Sequence, residues 1–380
     1  MIEIKQVKTS RDISLFVKYP LKLYKDCPYY VPSVMMDEKN NFSQRKNPNL
    51  KDCDYQGFLA YKDGELVGRI AALINWQEIS IYGEKVIRFS RFECIDDLEV
   101  FKALLSAVAE YGKSRGLEYM HGPWGFNDTD REGMLTYGFN LRSTYSTNYY
   151  YPYFHKNVEA LGFEPESKWV EMNFGIPKET DERSARLSEM IMKKYGVREV
   201  SDTLSVKEIL ERYGDAFFDT FNKAYSHLDG FVPIVDKGMQ QSVLDQFAVI
   251  VNTKYISIII DKDEKMAGFG ICLPSICEPL QKHGGKLLPA LISILKAIKT
   301  PRELEMALIA VRPEYKNAGI NAIMIDKIMR NIIADGVERV ESNPMLESNL
   351  SVQQQWKFAD SEIIKRRQTY KIKIGDLLNK

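Results

Sequence analysis

The sequence predicts an α/β chain made of two similar halves, and three observations carry that expectation. Matching segments recur in the same order about 200 residues apart. Apolar β-prone runs alternate with stretches whose apolar residues follow helical spacing. One strand–loop–helix corner, from Leu308 to Ile320, holds a single glycine between an Arg312-Pro313 break and an apolar helix. At 380 residues there is length for two or three domains with cores of their own.

In chain order, Met1–Lys5 opens like a strand. Asp63-Gly64 reads as a hairpin turn into a strand through Leu73, and Val86–Phe92 reads as the next strand. A helix follows. Asp96 and Glu99 suit a capping box, and Leu98, Phe101, Leu104, Leu105, Val108 and Tyr111 form its buried face. Gly116 stops that helix before a strand and Pro123. His121–Asp128 is a Gly/Pro-rich loop that lines a pocket or serves as a turn. The aromatic run Tyr145, Tyr149, Tyr150, Tyr151, Tyr153 and Phe154 suits a substrate cleft or packing between the two copies. A short helix then ends at Gly162-Phe163.

The second half repeats the plan. Asp263-Glu264 turns into a strand through Leu273. An insertion from Pro274 to Pro301 carries Gly284-Gly285 and an apolar helix. It accounts for the spacing of 72 residues from Glu264 to Gly336 against 52 from Gly64 to Gly116. A strand then runs to Val311. After the corner, Ile320, Ile323, Met324, Ile328 and Ile332 share one helix face, and Gly336 ends the helix before a strand and Pro344.

The corner is the best candidate for chemistry. A strand feeding a helix through a glycine loop aims free backbone N–H groups at one point, at the positive end of the helix dipole. The corresponding corner of the first copy, Glu93-Cys94-Ile95-Asp96-Asp97, has no glycine and three carboxylates, which repel phosphate. The sequence therefore predicts an anion site in the second half only.

Composition limits the alternatives. Lys+Arg and Asp+Glu both total 52, so nothing draws the whole chain toward nucleic acid or anionic membrane. Five cysteines without a C-x-x-C pair indicate a reducing compartment. Four histidines without metal spacing give no zinc site. The longest apolar stretch, Leu287–Leu295, is too short for the ~20 residues of a bilayer span. A cytoplasmic protein with no membrane or nucleic-acid partner is the expectation. Phosphate-loop, nucleophile-elbow and H-E-x-x-H motifs are missing from the sequence.

The corner resembles motif A of the GCN5-related N-acetyltransferases, in which a strand ending V-x-P-x-Y-(Q/R)-x-x-G-x-(G/A) opens a helix and the loop amides hold the pyrophosphate of acetyl-CoA. Val311, Pro313, Tyr315, Gly319 and Ile320 match, whereas Lys316 replaces Gln or Arg and Asn321 replaces the second small residue. The chain as a whole resembles uncharacterised bacterial tandem proteins of that family. The shared segments are Pro20–Ser33, Phe92–Asp97, Gly122–Asn127, Gly230–Pro233 and Leu346–Asn349. The resemblance implies two tandem acyl-CoA N-acyltransferase-like domains, each a mixed, mostly antiparallel sheet flanked by helices. The first, degenerate domain spans 1–176; the second spans 177–380, with an insertion at about 274–301.

It further implies acetyl-CoA or another acyl-CoA as cosubstrate and a small amine as acceptor. The cofactor-binding residues would be Val311, Lys316, Asn317, Ala318, Gly319, Ile320, Asn321 and Asn349. In the family a Tyr seven residues after that Asn protonates the CoA thiolate; here Trp356 takes the place, and an indole N–H is not an acid. Glu303, Glu305, Glu341 and Glu347 are candidates for the base, with Glu341 preferred because it sits where the paired strands splay. The alternative expectation is a non-catalytic binding protein with the same fold.

Overall fold

Both predicted hairpins form. The computed structural model describes residues 1–228, 230–349 and 360–380. In it Asp63 and Gly64 turn β2 (Cys53–Lys62) into β3 (Glu65–Asn75), with φ of +51° and +83°. Glu264, at φ +59°, does the same between β9 (Ile256–Ile260) and β10 (Met266–Pro274). Around the first hairpin lie β1 (Ile2–Gln6), α1 (Ser10–Leu23), α2 (Met35–Asn40), α3 (Trp76–Tyr82), β4 (Val86–Cys94), α4 (Leu98–Lys113) and β5 (Tyr119–Gly122). Next come β6 (Met134–Tyr137), α5 (Tyr153–Ala160) and β7 (Glu164–Phe174). The second half adds α6 (Glu182–Tyr195), β8 (Arg198–Glu199), α7 (Val206–Tyr225) and α8 (Lys237–Ile250). It continues with α9 (Cys277–His283), α10 (Leu287–Lys299), β11 (Glu303–Val311) and α11 (Ile320–Ala334). It closes with β12 (Arg339–Ser342), β13 (Met345–Leu346), β14 (Ser361–Lys373) and α12 (Ile374–Leu378).

The strands join in one sheet in the order β1-β2-β3-β4-β5-β14-β7-β12-β11-β10-β9-β8, with β6 and β13 as side branches. That order is a palindrome. β4 and β5 run parallel, as do β11 and β12, while the other neighbours on the path are antiparallel. The duplication read from the sequence thus appears as an approximate two-fold axis between β14 and β7. The last strands are exchanged: β14 pairs with β5 of the first half, and β7 pairs with β12 of the second. Each half is completed by the other's strand.

The helices bury the faces that spacing predicts. Ile320, Ile323, Met324, Ile328 and Ile332 of α11 are all buried, a gross contribution on the order of 10 kcal/mol before chain entropy is charged against it. In α4, Phe101, Leu104, Leu105 and Val108 are fully buried, but Leu98 is exposed, because the helix starts there and its first turn overhangs the core. Asp97, not Asp96, is the N-cap, accepting from the amides of Glu99 and Val100. Asp96 instead accepts from Asn157 at 2.9 Å. The aromatic run is mostly core of the first half: Tyr149, Tyr150 and Phe154 are buried there, and the Tyr153 hydroxyl donates to the Cys94 carbonyl at 2.7 Å. The predicted insertion is the α9–α10 pair, in the place that α3 takes in the first half. Residues 350–359, with Trp356 among them, lie outside the described residues.

Candidate functional site

The second-half corner has free donors. β11 ends at Val311, Pro313–Tyr315 makes one tight turn, and α11 begins after Gly319. Asn317 and Gly319 both take left-handed backbone, at φ +64° and +79°, which folds the loop back over the helix start. The Ala318 amide is used internally, donating to the Tyr315 carbonyl at 3.0 Å. Among the described residues, the amides of Asn317, Gly319, Ile320 and Asn321 donate to no protein acceptor. Lys316 and Asn317 are exposed and Asn321 is half-buried. α6 packs across this corner; a Cβ on Gly319 would lie 2.9 Å from Ile191. The loop is held from behind by Tyr315, whose hydroxyl donates to Asp261 at 3.0 Å.

The first-half corner is closed. The Asp97 carboxylate occupies the amides at the start of α4, and Lys62 in turn pairs with Asp97. The same architecture therefore offers amides to an incoming anion at one end of the sheet and covers them with a carboxylate at the other.

The strands beside each corner part company. β11 pairs with β12 only from Glu303 to Met306; from Ala307 to Val311 that edge has no strand partner among the described residues. The chain leaving β12 crosses to β7, where Met345 and Leu346 pair with Val170 and Trp169. In the first half the matching notch beside β4 is filled by the tyrosine-rich segment before and within α5.

A cavity of about 1010 Å³ opens where the halves meet. Its walls come from α3, the starts of β4 and β7, the end of β5 with the following loop, Gly230, and residues 346–348. The carboxylates of Glu78, Glu84, Glu166 and Glu347 line it, against His121 and Lys168. The loop read as pocket or turn is thus a pocket wall, with His121 and Trp124 facing the space. His121 is 6% exposed. Its Nδ1 lies 3.1 Å from Glu166, whereas Nε2 has no hydrogen-bond partner and lies 3.6 Å from Glu78. The Trp124 indole N–H, also buried, is likewise without a partner. Burial alone would raise the Glu166 carboxyl, but the His121 hydrogen bond and the nearby Lys371 hold it at about 2. Glu78 is held below the ordinary range against its burial, chiefly by Arg88 at 2.8 Å. The result is an imidazole oriented by Glu166, with its second nitrogen unpartnered but shielded from solvent beside Glu78 at the cavity wall.

Glu341 lies on β12 where the strands splay, as expected. Its place matches that of His121: Glu305 pairs with Glu341 on β11–β12, as Arg88 pairs with His121 on β4–β5. Its surroundings differ. Glu341 is 6% exposed and ion-paired to Lys365, and to Arg339 at 2.7 Å. Burial pushes its carboxyl up to about 7, opposed first by Lys365. Lys365 also lies 3.4 Å from Glu171, which pairs with Arg367; all three are fully buried on the exchanged strands β7 and β14. Glu305 is buried too and accepts from the Tyr145 amide, the Ser275 hydroxyl and the Cys277 thiol. Glu303 pairs with Arg142, and Glu347 with Arg366 at 2.5 Å at the cavity edge. Asn349, half-buried, follows the cavity segment 346–348, and its amide donates to the Leu346 carbonyl. The sequence pointed to the His121 loop but gave no sign of Glu78 or Glu166. Each is an ordinary carboxylate until the sheet brings α3, β5 and β7 together.

No family model matches the chain. Protein YghO of Escherichia coli K12 is 26% identical over 374 residues, covering 96% of this chain and 93% of its own. The bacterial ceramide synthase of Caulobacter vibrioides is 24% identical over 369 residues, 90% of each chain. Among solved structures, a tandem GNAT protein from the clavulanic acid biosynthesis pathway superposes with a TM-score of 0.58 at 11% identity. It covers 99% of both chains. The chain therefore has the tandem fold of the GCN5-related N-acetyltransferases over both halves.

Proposed function

We propose that this protein is an acyl-CoA-dependent N-acyltransferase that binds one CoA, in the second of two repeats divided at about residue 176/177. The observation that carries the reading is the corner after β11. Four uncommitted amides, from Asn317, Gly319, Ile320 and Asn321, converge at a helix start beside a strand edge that has no strand partner among the described residues and on which the Tyr225 hydroxyl donates to the Ile309 carbonyl. Amides so placed suit a pyrophosphate, with Lys316 adding positive charge. From Val311 back to Met306 is about 17 Å at strand rise. An extended pantetheine arm covers that span and would bring the thioester toward residues 343–349 and the cavity. An amide of β11 beyond the end of its pairing with β12 would be the donor for the oxyanion.

The acceptor enters through the cavity. Its lining carboxylates are each paired with a basic side chain, Glu78 with Arg88, Glu84 and Glu166 with Lys371 and Glu347 with Arg366, which leaves a polar wall for an amine. The amine reacts as the neutral base: its nitrogen attacks the thioester carbonyl, and His121 Nε2 takes the proton that nitrogen releases. The C–S bond breaks, and the CoA thiolate leaves and takes a proton from solvent. Glu166 keeps the imidazole oriented. The relative named a bacterial ceramide synthase supports an amide-forming reaction, since a ceramide is an amide of a long-chain amino alcohol. Glu341 is the second candidate for the base, because its carboxyl is pushed up to about 7. Its ion pairs with Lys365 and Arg339, and its absence from the cavity lining, favour His121. The non-catalytic reading rests on Asn321, which puts a side chain on the first turn of α11, and on Trp356 in the sequence where the family has the acidic tyrosine.

Calorimetry with acetyl-CoA and a long-chain acyl-CoA tests the first step, with one site per chain expected. Thiol release over a panel of amines tests the second. His121→Gln is expected to keep CoA binding and lose turnover by about a hundredfold or more, while Glu341→Gln loses less. If no acyl-CoA binds, the reading fails. If acyl-CoA binds but no amine is acylated, the non-catalytic reading stands in its place.

A further inference from the structure

The helix α10 carries its bulkiest apolar residues on the outside. Ala290 and Ile294 face inward and are buried in the second-half core with Cys277 and Leu280 of α9. Leu288, Leu291, Ile292 and Leu295 face outward, exposed by 85, 48, 85 and 56%. Their spacing of three, four and seven residues makes one continuous stripe along the helix. Folding of this chain does not account for the stripe, because the inner face already secures α10 to the core. Isolated apolar side chains on a surface are ordinary; a contiguous stripe is a contact site.

The charge around the stripe is one-sided. From Pro279 to Arg302 the sequence has no Asp or Glu, but has Lys282, Lys286, Lys296, Lys299 and Arg302. Arg302 is paired with Glu338 at 2.7 Å. The four lysines make no ion pair among the described residues. Lys286 is at the start of α10; Lys299 extends the stripe one turn past Leu295, and Lys296 flanks it. The zero net charge of the whole chain hides this patch.

We propose that α10 docks the protein on an anionic bilayer surface, lying in the interface plane with Leu288, Leu291, Ile292 and Leu295 in the acyl boundary and the lysines among the headgroups. An apolar stripe beside unpaired lysines is the pattern of an interfacial helix. At 13 residues α10 is about 20 Å long, and no described helix is long and apolar enough to cross a membrane. A second copy of the chain suits this face poorly. In a two-fold dimer the patch meets itself, so unpaired cations would oppose unpaired cations. The inference is independent of the acyl-transfer chemistry.

The test is co-sedimentation of the full chain with vesicles of phosphatidylcholine alone and of phosphatidylcholine mixed with phosphatidylglycerol. Binding to the mixed vesicles is expected to exceed binding to the neutral ones by about tenfold or more, and to fall as salt is raised. Leu288→Ser with Ile292→Ser should abolish it with an unchanged melting curve, since both side chains are exposed. Lys296→Glu with Lys299→Glu should remove the preference for anionic lipid. No sedimentation with either vesicle overturns the proposal, as does equal binding to both. A concentration-dependent dimer in light scattering that the serine pair dissolves also overturns it, because the face then belongs to a second copy.

Discussion

Glu166→Gln tests the electrostatic account of the cavity. Glu166 is one-quarter exposed and lies 3.1 Å from His121 Nδ1 and 3.5 Å from Lys371 Nζ. Burial works against its charged form, but the His121 hydrogen bond and the nearby Lys371 hold its carboxyl at about 2, against an ordinary 4.5. That difference corresponds to about 3 kcal/mol of folding stability. A carboxyl whose folded value is depressed contributes fully above its unfolded value, and the contribution is lost as pH falls through the folded one. Wild type should therefore exceed Glu166→Gln in stability by up to about 3 kcal/mol above pH ~4.5, with the gap closing between pH ~4.5 and ~2. The assay is urea denaturation of both proteins over that range, read as the difference in midpoint. A gap that is absent, or that does not change with pH, would refute the pairing of Glu166 with His121 and Lys371. The variant should also raise the proportion of misoriented imidazole, so turnover falls while acyl-CoA affinity does not.

Two further outcomes are expected. Asn321→Asp places an acid in the first turn of α11, which should stabilise the helix by about 0.3–1 kcal/mol while weakening acyl-CoA binding about five- to tenfold. Melting and calorimetry together read the opposite signs, and unchanged affinity would remove the phosphate from this corner. Gly319→Asp is a poorer probe, because its Cβ meets Ile191 and its φ is +79°. Lys365→Met removes the buried cation between Glu171 and Glu341, at a cost of about 3–5 kcal/mol. Adding Glu341→Gln should restore part of it in denaturant midpoints, and a neutral single variant would show that the arginines alone satisfy both carboxylates.

Local patterns were sufficient for much of this molecule. The hairpins at Asp63-Gly64 and Asp263-Glu264, the buried face of α11 and the corner at Gly319 each depend on residues close in sequence. Turn chemistry and helical period act within that range. The duplication was legible for the same reason, since each repeat carries its own copy of those signals. The closed first corner was also anticipated from its carboxylates, although the cap proved to be Asp97 rather than Asp96. The α10 stripe shows the limit: apolar spacing marks a face as apolar without saying whether protein, lipid or water lies against it.

Sequence alone determined the two copies, their strand–helix units and the single glycine corner with amides to offer, because these follow from backbone preferences and short-range periodicity. Only the tertiary structure decided that β7 and β14 change places. A strand's alternation fixes which face is buried but not which neighbour it pairs with. That exchange puts Lys365 and Arg367 beside Glu171, and it sets Glu341 in an ion pair instead of at an open surface. It also brings β5, β7 and the segment after β12 to one place, where Glu166 orients His121. Carboxylates 88 residues apart, such as Glu78 and Glu166, share a wall only once the sheet is assembled, because no local rule couples them.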